Sequence, residues 1–193
     1  MIRIQRGLPD PLRPDAARLY WQAFGGKLGR VLGPEPRALR YLARVMRTDQ
    51  CLAALGPDGR LLGLAGFKTA EGSFAGGSDA DLRAVYGPLG GTWRSLVLRL
   101  LGNEVDNDRF LLDGLCVDPS VRGQGVGTAL LESFAAEGRL RGYPAVRLDV
   151  VDTNPRARAL YERRGFVVDS TSPIGPLRLI FGFRAAHTMV RPT

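Results

Sequence analysis

Apolar positions along this chain switch between two spacings, and the switches mark out its elements. In "IRIQRGL", close to the start, they alternate weakly, the two-residue period of a strand. From 14 to 33, "PDAARLYWQAFGGKLGRVLG", they recur at helical spacing, with Leu19, Tyr20, Ala23 and Phe24 on one face and a weak point at Gly25-Gly26. "EPRALRYLARVMR" repeats the pattern, with Leu39, Leu42, Ala43 and Met46 on its apolar side. "QCLAALGPDGRLLGLAGFKTA" returns to strand character, two apolar runs joined through Pro57-Asp58-Gly59, a hairpin signal. A Gly/Ser-rich loop, "EGSFAGGSDAD", leads to a helical stretch from about Leu82 to Leu101, broken by "GPLGG".

The second half is better marked. "RFLLDGLCV", from Arg109 to Val117, is apolar nearly throughout and reads as a central strand covered on both faces. A glycine loop then opens a helix that runs to about Arg141, with Val126, Leu130, Leu131 and Phe134 as its buried stripe. "AVRLDVV" is another strand. "NPRARALYERRG" is a helix with Asn154 as N-cap, Pro155 in its first turn and Gly165 past its end. "FVV" and "HTMVR" supply final strands. Hairpins and strand–helix–strand crossovers occur together, so the expected class is α/β with a mixed sheet flanked by helices.

Composition narrows the function. At 193 residues, 45% hydrophobic and 24% charged, the chain suits a soluble globular protein of one domain. The start carries no signal-peptide pattern, and the most apolar stretch, "SLVLRLLG", is short and carries Arg99. A cytoplasmic protein without a membrane partner is expected. Cys51 and Cys116 lie in strand-like runs and read as buried thiols, and His187 is the only histidine, so no metal site is expected. The net charge of +8 comes almost wholly from arginine, since lysine occurs only at Lys27 and Lys68. Such a surface attracts a polyanion, but the arginines are scattered without aromatic interleaving, which argues against nucleic acid.

The most informative stretch is "DPSVRGQGVGTALL", from Asp118 to Leu131. Three glycines fall within five positions between a buried strand and a helix. Glycine is costly to order, so this loop needs bare backbone. A helix start offers unpaired N–H groups and a partial positive charge, and glycines let an anion come close. Arg122 adds a fixed charge. The loop reads as a phosphate or diphosphate cradle; the competing reading is a tight turn with no ligand. No Gly-Lys-Ser/Thr triplet occurs, which removes the P-loop. The dinucleotide fingerprint has Thr128 where its third glycine belongs, although Asp149 lies about where a ribose-binding acid could sit. That fold also expects more crossovers than the remaining chain offers.

A third pattern fits better. Arg122-Gly123-Gln124-Gly125-Val126-Gly127 resembles the acyl-CoA pyrophosphate loop of the GCN5-related N-acetyltransferases, R/Q-x-x-G-x-G/A. "LLDGLCVDP" is similar to that superfamily's fourth strand, and Asn154 to Phe166 to its signature after the fifth, Asn-x-x-Ala-x-x-x-Tyr-Glu-x-x-Gly-Phe. The resemblance covers Leu111 to Val168; the N-terminal half matches only in element order. It implies a single-domain acyl-CoA N-acyltransferase fold over 1–193, with splayed fourth and fifth strands and an acyl-CoA-binding core at about 109–170.

The resemblance also implies roles. Acetyl-CoA, as cosubstrate, would lie between the splayed strands. Its pantetheine arm would pair with backbone at Leu115, Cys116 and Val117, and its diphosphate would rest on N–H groups from Arg122 through Gly123, Gln124, Gly125, Val126 and Gly127 to Thr128. Asn154 and Ala157 would complete the groove. An N–H near Val117 would polarise the thioester carbonyl, and an amine acceptor, a small molecule or a protein amine, would attack directly. Tyr161 matches the tyrosine that returns a proton to the leaving thiolate. Asp113 is the candidate base; strand alternation puts it on the face of Leu115 and Val117, and a structural hydrogen bond is its other reading. Asn154 serves equally as a plain N-cap. Tyr20, Trp21, Phe24 and Trp93 are candidates for the acceptor pocket or for the core. A homodimer is compatible with all of this. The alternative function is a non-catalytic acyl-CoA-binding regulatory module; a nucleotide-binding oxidoreductase is the remaining class.

Overall fold

The protein is described by a computed structural model covering residues 2–100 and 108–193. Its centre is an eight-stranded mixed sheet. The strands are β1 (Arg3–Arg6), β2 (Cys51–Leu55), β3 (Leu61–Thr69), β4 (Gly72–Ser73), β5 (Phe110–Val117), β6 (Ala145–Val151), β7 (Val167–Pro173) and β8 (Ala185–Pro192). They lie in the order β1-β2-β3-β5-β6-β8-β7, with the two-residue β4 paired to β3. All pairs are antiparallel except β5–β6, which is parallel. A parallel pair needs a crossover, and α4 (Val126–Leu140) supplies it.

Two cores sandwich the sheet. On one face lie α1 (Arg13–Leu32), α2 (Glu35–Val45) and α3 (Asp79–Leu100), closing over Cys51, Ala53, Leu64 and Cys116. On the other lie α4 and α5 (Pro155–Arg163), closing over Phe67, Phe110, Leu112 and Leu148. Phe110 stacks on Phe134 of α4 with ring centroids 4.8 Å apart. Each such buried ring contributes ~1.5–3 kcal/mol by leaving water. β5 therefore has helices on both sides, as its continuous apolar run requires.

Five local expectations need correction. α1 runs unbroken through Gly25-Gly26, because the Trp21 ring lies where a Gly25 Cβ would be, at 3.0 Å, and packs onto the bare backbone. On α2 the expected Leu42 and Met46 are buried and Leu39 and Ala43 pack partly against the core, but Ala38, Tyr41 and Val45 are buried as well. Tyr41 packs toward Tyr86 of α3, ring centroids 6.1 Å apart. α3 begins at Asp79, where Ser78 and Asp81 bond each other's N–H groups. Its break comes at Gly87, φ 78°, inside "GPLGG"; Leu101 lies outside the described residues. The Gly/Ser loop contains β4 and the fully buried Phe74. A short helix, α6 (Arg178–Phe181), falls between β7 and β8 where none was expected.

Candidate active site

β5 and β6 begin as neighbours and then part. They pair only at Phe110–Val146 and Leu111–Arg147. β6 continues against β8 while β5 continues against β3, so the edge of β5 that faces β6 is open beyond Leu111. These are the strands expected to splay as fourth and fifth; the small β4 adds one to the count. Asp118 N–H bonds back to the Leu62 carbonyl at 2.9 Å. N–H direction alternates along a strand, so the N–H groups of Val117 and Leu115 turn toward the open side.

The gap widens into a cleft of about 530 Å³. Leu115, Cys116 and Val117 form one wall, and Arg122, Gly123, Gly125, Val126, Gly127 and Thr128 form one end. Asn154, Ala157 and Tyr161 of the α5 region form the other wall. Of the expected cofactor-side residues only Gln124 is turned away; its amide donates to the Ser120 carbonyl at 3.4 Å.

The loop has the geometry of an anion cradle. Gly125 is the N-cap of α4, with φ 84°, and no side chain caps the helix. The first bond into the helix is Ala129 N–H to the Gly125 carbonyl, 2.9 Å. The N–H groups of Val126, Gly127 and Thr128 thus have no helical acceptor and point out with the positive end of the helix dipole. Gly123 (φ 82°) and Gly125 occupy left-handed backbone, and a Cβ on either would stand in open space. Arg122 fastens the loop to the strand, its Nε donating to the Val117 carbonyl at 3.1 Å. Asp118 shapes the preceding turn by accepting the Ser120 hydroxyl at 2.6 Å and the Ser120 N–H at 2.8 Å, and these bonds, the hydroxyl's first, hold its carboxyl below the usual range.

Arg156, Leu160 and Arg163 also line the cleft, as do Gln22, Ala23 and Phe24 of α1. Sequence reasoning missed these except Phe24, which was considered only for the acceptor side. The signal for the α5 set was its spacing, i, i+4, i+7, which shares a helix face. Nothing local marks α1, because its approach is set by tertiary packing. Asn154 does cap α5, accepting Ala157 N–H at 3.2 Å.

Tyr161 is 7% exposed, packed toward Phe166, and burial raises its pKa to about 12. It is therefore a neutral phenol at any ordinary pH. Cys116 is buried, and burial pushes its thiol well above the usual range. A protonated thiol is a poor nucleophile.

Asp113 does not lie on the face of Leu115 and Val117. Gly66 pairs with Gly114 and Phe67 with Leu112, leaving Asp113 as the extra residue of a β-bulge. The bulge breaks the alternation and puts Asp113 on the α1 side with Gly114 and Cys116. There its Oδ2 accepts the Ser73 hydroxyl at 2.7 Å and Ala75 N–H at 3.0 Å. It faces a second cavity with Tyr20 and Tyr41. Trp21 and Phe24 pack partly buried against the α1-side core, while Trp93 is 43% exposed. No group of three His, Cys, Asp or Glu side chains among the described residues could hold a metal ion, and no described helix is long and apolar enough to cross a membrane.

Comparison with known proteins agrees with this geometry. A stretch of 52 residues is 48% identical to mycothiol acetyltransferase of Beutenbergia cavernae, covering 27% of this chain and 18% of that one. A stretch of 59 residues is 42% identical to the ribosomal protein bS18-alanine N-acetyltransferase of Escherichia coli K12, covering 31% of this chain and 40% of that one. The chain thus spans less than half the length of these relatives. An N-acetyltransferase of Staphylococcus aureus Mu50 shares the fold over 99% of this chain and 100% of its own, at TM-score 0.71 and 17% identity. The model of the acetyltransferase (GNAT) family matches residues 14–166, and the chain belongs to that family.

Proposed function

We propose that the protein transfers an acetyl group from acetyl-CoA to a primary amine. The observation that carries this reading is the open N-terminus of α4, with Gly123 and Gly125 in left-handed backbone, at the end of the gap between β5 and β6. The fit to a CoA diphosphate rests on those uncapped N–H groups and on the room a Cβ would otherwise fill. Arg122, Arg156 and Arg163 around the cleft add positive charge. Acetyl-CoA, when bound, supplies an acetyl group activated as a thioester.

The chain's own residues would do the rest. The N–H groups of Val117 and Leu115 face the gap, placed to pair with an extended arm and to polarise a carbonyl. Tyr161, kept protonated by burial, would give its proton to the departing thiolate. An alkyl ammonium has a pKa of about 10.4, so its proton must be accepted before attack. Asp113, across the strand, would take it, directly or through water. The reaction balances: the amine nitrogen gains the acetyl group and loses a proton, and the thiolate leaves as a thiol.

Calorimetry with acetyl-CoA, followed by free-thiol release with an amine, tests this. Micromolar-range binding and amine-dependent thiol release are expected. Binding without release for any amine would instead favour a regulatory acyl-CoA-binding module.

A further inference from the structure

A second cavity of about 700 Å³ lies on the opposite face of β5 from the diphosphate cradle. It exists because of how β3 is joined to β5. Antiparallel neighbours can be linked by a two-residue hairpin. Here the chain leaves β3 at Thr69, adds the two-residue β4, builds α3, and returns beside β3 as β5 only at Phe110. α3 packs on α2 and α1 and becomes the cavity's outer wall through Leu82, Ser95 and Arg99. That wall is pinned. Asp79, at the start of α3, takes hydrogen bonds from Ser95 and Arg99 beyond the Gly87 kink, tying the helix's two halves together.

The chemistry at the bottom of the cavity is specific. Asp113 is held in place by Ser73 and Ala75. Tyr20 and Tyr41 stand beside it. Burial first, then the charge of Asp113, raises the pKa of Tyr20; burial raises that of Tyr41 to about 12. Both phenols therefore stay neutral. A carboxylate among neutral hydroxyls suits an ammonium group attached to a polar body. Lys68, Asp79 and Arg99 also line the cavity, and Asp79 is paired with Arg99, which leaves Asp113 as the carboxylate for a single ammonium.

The two cavities approach each other on either side of a ring pair over Gly114. Phe24 lines the cofactor cleft and Tyr20 the second cavity, and their ring centroids are 4.5 Å apart. Both rings rest on Gly114, where a Cβ would come within 3.1 Å of Phe24 and 3.3 Å of Tyr20. Asp113 is one residue, ~3.3 Å of strand, from that junction. An amine held by Asp113 would thus lie beside the ring pair that divides this cavity from the cofactor cleft.

Resting on the acetyl-transfer reading above, we infer that this cavity is the acceptor site and takes a small, polar monoamine, such as an amino alcohol, amino sugar or free amino acid, not the terminus of a polypeptide. Its volume matches one small molecule, for which pockets run to ~300–1,000 Å³.

The test uses the intact protein with saturating acetyl-CoA. Thiol release is followed for ethanolamine, glucosamine, glycine and their like, for spermidine, and for hexapeptides with free N-termini or a single lysine. At least one small monoamine is expected to exceed the best peptide and spermidine by about tenfold or more in kcat/KM. Asp113→Asn is expected to raise that amine's KM at least tenfold while leaving the KM for acetyl-CoA unchanged. A peptide or spermidine equal to the best monoamine, or turned over where no monoamine is, overturns this inference alone; acetyl-CoA binding with no amine of any kind turned over overturns the acetyl-transfer reading and this one with it. Absence of acetyl-CoA binding overturns the parent reading and this one with it.

Discussion

The Ser73 hydroxyl donates to the Asp113 carboxylate at 2.7 Å, and this bond ties β4 to the bulge in β5. Ala75 N–H reinforces it from the next turn. Asp113 thus has a structural task and a chemical opportunity, and substitution separates them. Asp113→Asn keeps size and most acceptor capacity but cannot take a proton. The rate is expected to fall about 10²-fold at pH 7. The deficit shrinks as pH rises toward the ~10.4 of the free amine, where solvent removes the proton unaided. Ser73→Ala removes only one donor and is expected to cost ~1 kcal/mol of stability with an unchanged pH profile. Rate–pH profiles of the two variants check this; an equal deficit at all pH values in Asp113→Asn assigns it the structural task alone.

Tyr161→Phe keeps the ring that packs on Phe166 and removes only the hydroxyl. Cofactor affinity is expected to survive. The loss belongs in kcat, about 10²-fold, since a thiol of pKa ~8.5 is a tolerable leaving group. Single-turnover thiol release measures it with chemistry isolated. Wild-type kcat in that assay removes Tyr161 as the acid.

What the sequence made legible follows from the range of the forces. The cradle, the α4 stripe and the Asn154 cap are local, each set by residues within a few positions, and each appears where the pattern put it. The side to which Asp113 points was not legible. A bulge adds one residue against a partner strand 45 to 48 positions away, at Gly66↔Gly114 and Phe67↔Leu112, and no local spacing reports that. The approach of Phe24 to the cleft is likewise tertiary. Tyr41 was not among the apolar positions read on its helix, yet its ring is buried in the core.

Gly125 combines left-handed backbone with open space at its Cβ position. Gly125→Val imposes strain of roughly 1–3 kcal/mol and fills the cradle. Acetyl-CoA affinity is expected to fall at least 100-fold while the melting temperature drops by only a few degrees. In the unmodified protein, raising salt weakens binding, because the cradle and its arginines act on phosphate charge. Calorimetry of the folded variant decides; unchanged affinity would falsify the diphosphate assignment.

Gly114 is a tighter constraint of another kind. Its backbone conformation is ordinary, but Phe24 and Tyr20 crowd it at 3.1 and 3.3 Å. Gly114→Ala is expected to cost ~1–3 kcal/mol by overpacking and to push the rings off the junction. Acetyl-CoA affinity is expected to be kept and amine turnover lost. Retained amine kinetics in a variant with a lowered melting temperature would mean that the rings are packing alone.

Alkaline pH probes Tyr161 without any substrate. Its folded pKa, raised by burial to about 12, lies above the 10.0 of an unperturbed tyrosine. The unfolded chain therefore loses this proton first as pH rises. The stability contributed by keeping the phenol neutral is whole below pH 10 and is lost between about pH 10 and 12. A full shift of two units corresponds to about 2–3 kcal/mol. Tyr20, Tyr41 and Tyr86 titrate in the same direction, burial leading in each, so the wild-type slope is the sum of several groups. Tyr161→Phe isolates one of them. Between pH 10 and 12 the variant is expected to lose stability more slowly than wild type, by about 1 kcal/mol per pH unit. Urea melts at pH 9, 10 and 11 measure the two slopes, and parallel slopes would place the Tyr161 hydroxyl in water rather than in the wall of a dry cleft.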